Sequence, residues 1–222
     1  MRPARSRLIC TLTTVDVTIG HSDMSGSGVL GAVLAGGAST RFGSDKAAVM
    51  IGQRTMLQHQ LATLTAAGVV ERVYVGGEPR PEVANARHLV DVYPGEGPFG
   101  AIVTTLGEAV RVSNDERAID LIVVLAVDVP LVTPLTINRL ITAVVANDAT
   151  LPSDAAVAYG ERDHWSCLAV RTTTLNTLRS QFAQGTRALH RAFSSLRVAR
   201  VACGEAELLN VNDPSALNVI TA

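Results

Sequence analysis

Gly36, Gly37 and Gly43 share the stretch LAGGASTRFGSDK, residues 34–46, with Arg41 and Lys46, a set of residue types suited to holding a phosphate. Glycine lets the backbone approach a ligand closely and adopt positive φ, while the two cations supply charge. The spacing departs from the standard phosphate loops. Five residues separate Gly37 from Gly43 and Lys46 is followed by Ala47, so G-x-x-x-x-G-K-[ST] fails, as does G-x-G-x-x-G. A loose surface turn is the competing reading. Against it stands Lys46, the only lysine among 19 Lys and Arg residues, placed at the end of this loop. Its compact ammonium suits a tight phosphate site better than a wide guanidinium fork.

A second stretch, AVDVP, brings Asp128 out of the most apolar run of the chain. Pro130 stops that run and Thr133 is better placed to cap the helix that follows, so capping does not explain the carboxylate. A hard carboxylate there suits Mg²⁺ shared with substrate phosphate oxygens. Asp91, in HLVDVYPGEGPFGAI, also ends a strand pattern, ahead of a Gly/Pro-rich loop that opens a helix. Two strand-end carboxylates on one sheet can converge on one ion, although Gly95, Gly97 and Gly100 could simply shape a connection. LLNVNDP sets Asn210 and Asn212 on one side of an extended segment, where turn chemistry before Asp213-Pro214 is the alternative. His164, in GERDHWS, could act as a base. Nucleotidyl transfer depends on positioning and charge neutralisation, however, so a structural or substrate-contacting role fits it better.

Several elements must position these groups. From Val29 onward, short apolar runs alternate with helical periods, the pattern of a mostly parallel sheet covered on both faces. Strands are expected over VLGAVLA, RVYVGG, HLVDV and IDLIVVLAV, the last continuously apolar as a central strand should be. TMLQHQLATLTAAG puts Leu57, Leu61 and Leu64 on one helical stripe and ends at Gly68. TPLTINRLITAVVAN begins with Thr133 as N-cap and Pro134 at the first helical position. Farther on, AAVAY and HWSCLAVR flank GERD as a hairpin; helices over TTLNTLRSQFA and TRALHRAFSSL and a late strand RVARVAC complete the chain. Residues 1–28, ending in HSDMSGSG, read as a flexible lead-in. Residues 29–222 then form a single domain, with 29–150 as nucleotide-binding half and 151–222 as a half that completes the substrate cleft.

Composition narrows the function classes. A chain of 222 residues that is 47% hydrophobic can bury one substantial core, and a net charge of -1 leaves no global field to gather nucleic acid or an anionic membrane. No apolar run reaches the roughly 18 residues of a membrane span. Cys10, Cys167 and Cys203 are too few and too scattered for a disulfide framework or a cysteine zinc site, so reduced thiols and a cytoplasmic setting are expected.

LAGGASTRFGSDK, GPFGAI, DVPL and NVNDP occur in the order found in molybdenum cofactor guanylyltransferases, and from about Val29 to the C-terminus the chain resembles that family. The resemblance implies a three-layer α/β/α Rossmann-like nucleotidyltransferase fold. It also implies transfer of GMP from GTP to the terminal phosphate of molybdenum-bound molybdopterin, with release of pyrophosphate. By position in the motifs, Leu34, Ala35, Gly36, Gly37 and Gly43 would contact the nucleotide, and Lys46 supported by Arg41 would neutralise phosphate charge. Asp128 would hold Mg²⁺, Asp91 would meet the nucleotide or the ion, and Asn210, Asn212 and His164 would face the pterin. Other cofactor-biosynthesis proteins and molybdoenzyme chaperones are the implied partners. With no Walker A loop in the sequence, a P-loop accessory protein would be a separate chain.

Four positions depart from the family pattern: Phe42 for Met, Val127 for Cys, Trp165 for the Pro that commonly follows His164, and Gly76 for an Asn near the nucleotide. The change at Trp165 alters the loop on the pterin side, and that at Gly76 weakens side-chain readout of guanine. Competing expectations are a cytidylyltransferase of the same pterin, or a nucleotidyltransferase for a sugar phosphate or small phospho-acid. A regulatory subunit without turnover is the alternative from another class, which would not need Lys46, Asp91 and Asp128 together.

Overall fold

The computed structural model describes residues 28–36, 45–114, 118–145 and 152–212. In chain order these form β1 (Gly28–Leu34), β2 (Met50–Ile51), β3 (Arg54–Thr55), α1 (Met56–Ala66), β4 (Glu71–Val75), β5 (Arg87–Leu89), α2 (Gly97–Val112) and β6 (Ile119–Ala126). Then follow α3 (Pro134–Val145), β7 (Ala155–Tyr159), β8 (Asp163–Arg171), α4 (Leu175–Ala183), α5 (Leu189–Ala192) and β9 (Val198–Ala202).

The main sheet has seven strands in the order β5-β4-β1-β6-β8-β7-β9. Every pairing is parallel except the two that β8 makes with β6 and β7. α1 and α3 bury Leu57, Leu61, Leu64, Ile137 and Leu140 against one face, and α2 and α4 bury Phe99, Ile102, Leu106, Leu178 and Phe182 against the other. Leu121 through Leu125 of β6 alternate between these two cores and are at most 1% exposed, which is why the strand reads as continuously apolar.

Local signals set the element ends. Thr55 and Gln58 form a reciprocal capping box at the start of α1, and Gly68 at φ +82° follows its C-cap. Thr133 Oγ1 accepts from the Thr136 amide, capping α3 as its sequence implies. Glu207 adds a second tie there, accepting from the hydroxyls of Thr133 (2.9 Å) and Thr136 (2.5 Å).

Three expected boundaries shift. Gly28 belongs to β1 rather than to the lead-in: its amide donates to the Ala118 carbonyl, and a Cβ would stand only 2.3 Å from that oxygen. β5 stops at Leu89, leaving Val90 and Val92 exposed, because the Asp91 carboxylate turns the chain by accepting from the Tyr93 amide. In TRALHRAFSSL only Leu189–Ala192 is α-helical, followed by a 3-10 turn, while Arg187 is tied to the carbonyls of Phe182 and Thr186 and to Glu96.

Candidate functional site

After β5 the chain crosses back by α2 and lays β6 on the far side of β1, with α1 on one sheet face and α2 on the other. The crevice beyond the carboxyl ends of β1 and β6 is therefore a topological switch point, where open α/β sheets take ligands. A cleft of about 660 Å³ lies there.

One wall of the cleft is backbone. Leu34, Ala35 and Gly36 leave β1, and Gly76 and Gly77 leave β4, all lining the cleft. A Cβ on Gly76, at φ +76°, would come within 2.9 Å of the Gly36 Cα, so Gly76 has no room for a side chain against the end of β1. The amides of Ala35 and Gly36 both donate to the Val75 carbonyl (2.9 and 3.1 Å). Backbone contact to a ligand from these residues must then come mainly through carbonyl oxygens.

The floor is charged. Asp128 sits in a loop fastened on three sides: the Val127 amide donates to the Leu34 carbonyl, Gln60 donates to the carbonyls of Val129 (2.5 Å) and Ala126 (3.4 Å), and the Asp128 carbonyl accepts from the Val211 amide at 2.8 Å. Its Oδ2 lies 3.7 Å from Lys46 Nζ, and its Oδ1 is buried without a hydrogen-bond partner among the described residues. Lys46 also donates to Asn212 Oδ1 at 2.9 Å. It rides on a 3-10 turn, Lys46–Ala48, whose N-cap Asp45 accepts from the Ala47 amide and is paired with Arg80. Val211 is fully buried, so Asn210 and Asn212 on either side of it both turn outward; Asn210 lines the cleft and Asn212 meets Lys46.

Asp91 lines the cleft from the turn after β5, its Oδ1 accepting from the Tyr93 amide and the Thr104 hydroxyl. Three strand spacings separate β5 from β6, on the order of 14 Å, so Asp91 and Asp128 start far apart on the sheet. Among the described residues no group of three or more His, Cys, Asp or Glu side chains could cage a metal. A cation at Asp128 would therefore complete its shell with ligand or solvent oxygens, as Mg²⁺ commonly does.

The wall opposite the glycines comes from β8. Val157 pairs with Leu168 but the next residue, Ala158, pairs with His164, so residues 165–167 bulge out of the β7 ladder. Trp165 and Ser166 both line the cleft as a result, joined by Leu189. His164 is not among the lining residues. Burial first, then the nearby Arg162, lowers its pKa, against the opposing pull of Glu205 and Asp163. Cys167 is fully buried, and burial pushes its thiol far above the ordinary range, so it offers no thiolate.

Of the sequence-derived candidates, Leu34, Ala35, Gly36, Lys46, Asp91, Asp128 and Asn210 line one cleft, with Asn212 bound to Lys46. Gly37, Arg41 and Gly43 lie outside the described residues. Sequence reasoning missed Gln60, which sits within the apolar stripe of α1 and is 0% exposed, and Arg80, which braces Asp45. Polar type at a core-facing helical position was the available signal for Gln60; nothing in the sequence marks Arg80.

Residues 31–201 match the MobA-like NTP transferase domain. The chain is 30% identical over 189 residues to a molybdenum cofactor guanylyltransferase from Xanthomonas euvesicatoria pv. vesicatoria, covering 83% of this chain and 89% of that protein. It is 29% identical to a probable molybdenum cofactor guanylyltransferase from Mycobacterium avium, covering 86% and 93%. Among solved structures, molybdopterin-guanine dinucleotide biosynthesis protein A from Archaeoglobus fulgidus superposes with a TM-score of 0.64 at 19% identity, covering 86% of this chain and 95% of that one. A 2-C-methyl-D-erythritol 4-phosphate cytidylyltransferase from Thermus thermophilus shares the fold at a TM-score of 0.59 and 18% identity, covering 86% and 96%.

Proposed function

This chain belongs to the MobA-like NTP transferase family and is a nucleotidyltransferase, and we propose that it transfers GMP from GTP to molybdenum-bound molybdopterin. An oxygen of the pterin's terminal phosphate attacks the α-phosphorus of GTP, the bond to the β-phosphate oxygen breaks, and pyrophosphate leaves with that oxygen. Both reactants are anions. The protein must suppress their repulsion and hold the attacking oxygen opposite the leaving group.

The observation that carries this reading is the meeting of Lys46, Asp128 and Asn212 at the β1/β6 crevice. Lys46 neutralises charge on the phosphates as pyrophosphate departs, with Arg41 of the same loop supporting it. The unpartnered, buried Oδ1 of Asp128 fits a hard divalent cation, for which we take Mg²⁺. Such an ion, when bound, polarises phosphoryl oxygens and adds positive charge at the reacting centre.

Residues 29–150 form the nucleotide half. Leu34, Ala35 and Gly36 contact the nucleotide through backbone groups, Gly37 and Gly43 also contact it, and Asp91 contacts the nucleotide rather than the ion. Residues 151–222 form the acceptor half, where Asn210 faces the pterin and Asn212 orients Lys46 toward it. His164, away from the cleft lining, takes no part at the reacting centre. The reading includes a cytoplasmic reaction and hand-over of the pterin between partner proteins; among the described residues no helix is long and apolar enough to cross a membrane.

The test is incubation with Mg²⁺, molybdenum-loaded molybdopterin and GTP, CTP or ATP in turn, with pyrophosphate release measured. Release with GTP in clear preference is expected. Release with CTP and none with GTP would overturn the choice of base, and no release with any of the three would overturn the reaction.

A further inference from the structure

We propose that Trp165 is the stacking platform for the planar ring of the acceptor, a specificity determinant on the pterin side of the cleft. This rests on the reading of the reaction above. Three observations carry it. The bulge in β8 turns an otherwise regular strand so that Trp165 and its neighbour Ser166 both line the cleft. Behind the indole, the fully buried Phe193 packs against it with ring centroids 5.2 Å apart and planes at 43°. Packing of this kind restricts the rotamer before any ligand arrives, so little entropy is lost on stacking.

Strand order supplies the third observation. Gly36, Gly76 and Asp91 follow the ends of β1, β4 and β5, whereas Trp165 belongs to β8 on the far side of β6. Lys46 and Asp128 lie between them. A reaction that joins two phosphates at that centre needs its two ring systems at opposite ends. With the narrow glycine wall assigned to the nucleotide base, the indole is left for the acceptor. An aromatic ring attracts a flat heterocycle whatever its hydrogen-bonding pattern, and the effect for a nucleic-acid base is large enough to govern affinity.

Two variants and the intrinsic fluorescence test this. Trp165→Leu keeps an apolar side chain against Phe193 but removes the ring; it should raise KM for molybdenum-loaded molybdopterin about tenfold while KM for GTP stays within about twofold. Trp165→Phe should recover most of the loss. Trp165 is the only tryptophan in the chain, so its emission reports the site directly. Molybdopterin should quench it saturably and GTP alone should not.

If the wild-type enzyme turns over with GTP and pterin while Trp165→Leu leaves the acceptor KM unchanged, the platform is wrong and the reaction stands. Quenching by GTP and not by pterin also overturns it, assigning the indole to the nucleotide. Should the Leu variant fail to fold, absence of saturable pterin quenching in the wild-type protein is decisive against it. No turnover with any pterin acceptor overturns both proposals.

Discussion

The two walls of the cleft are built by different means. On the β1/β4 side, the chain presents main-chain groups, because Gly36 and Gly76 approach closely: a Cβ on Gly76 would stand 2.9 Å from the Gly36 Cα, and one on Gly36 would stand 3.2 Å from the Gly76 Cα. On the β8 side it presents side chains, Trp165 and Ser166, re-aimed by a bulge in the one strand of the main sheet that runs antiparallel to its neighbours. A backbone wall is rigid and offers the same groups whatever its residues, provided they are small. A side-chain wall changes with each substitution. On the proposed reading, the backbone wall takes the nucleotide and the side-chain wall takes the acceptor.

Substitutions can break that comparison, beginning at the seam where the walls meet. Asp128→Asn removes the charge that would hold a cation and should lower kcat for pyrophosphate release by about 10²–10³ at saturating GTP and Mg²⁺. An unchanged kcat would remove the metal from the mechanism. Gly76→Ala attacks the backbone wall alone. Its added Cβ meets Gly36 at 2.9 Å and its φ is +76°, so a stability loss of about 1–3 kcal/mol in urea denaturation is expected. KM for GTP should rise while KM for the acceptor does not; a rise in both would mean that the walls are not independent.

The smallest effect belongs to His164, beside the side-chain wall. Its folded pKa is lowered from 6.5, so the unfolded chain binds the extra proton more readily. The stability this contributes is fully present above pH 6.5 and is lost as pH falls through the lower folded value. His164→Gln should therefore flatten the decline in unfolding midpoint between about pH 7.5 and about pH 5.5. It should leave kcat unchanged near neutrality, and a large drop in kcat would return the imidazole to the reacting centre.

Much of this architecture is legible in the linear chain because its signals are local. The periodicity of Leu57, Leu61 and Leu64, the Thr133-Pro134 start of α3 and the unbroken apolar run of β6 each mark an element, and Lys46 and Asp128 stand out by type and place. Other features depend on neighbours distant in sequence. The shortness of β5 follows from the Asp91 turn at a sheet edge, and the truncation of α5 follows the ties that Arg187 makes with Glu96 and with the Phe182 carbonyl. Gln60 shows the same limit: its apolar setting conceals that it holds the carbonyls flanking Asp128.

By itself the sequence determined the layers, the strand-end placement of the acidic residues and the pairing of a glycine loop with a lone lysine, since periodicity and residue type act over a few positions. Only the tertiary structure decided which groups meet. Lys46 and Asn212 are 166 residues apart and come to 2.9 Å because Val211 is buried and bonded to Asp128. Trp165 rather than His164 lines the cleft because a bulge depends on pairing with β7, and strand register is a property of two strands.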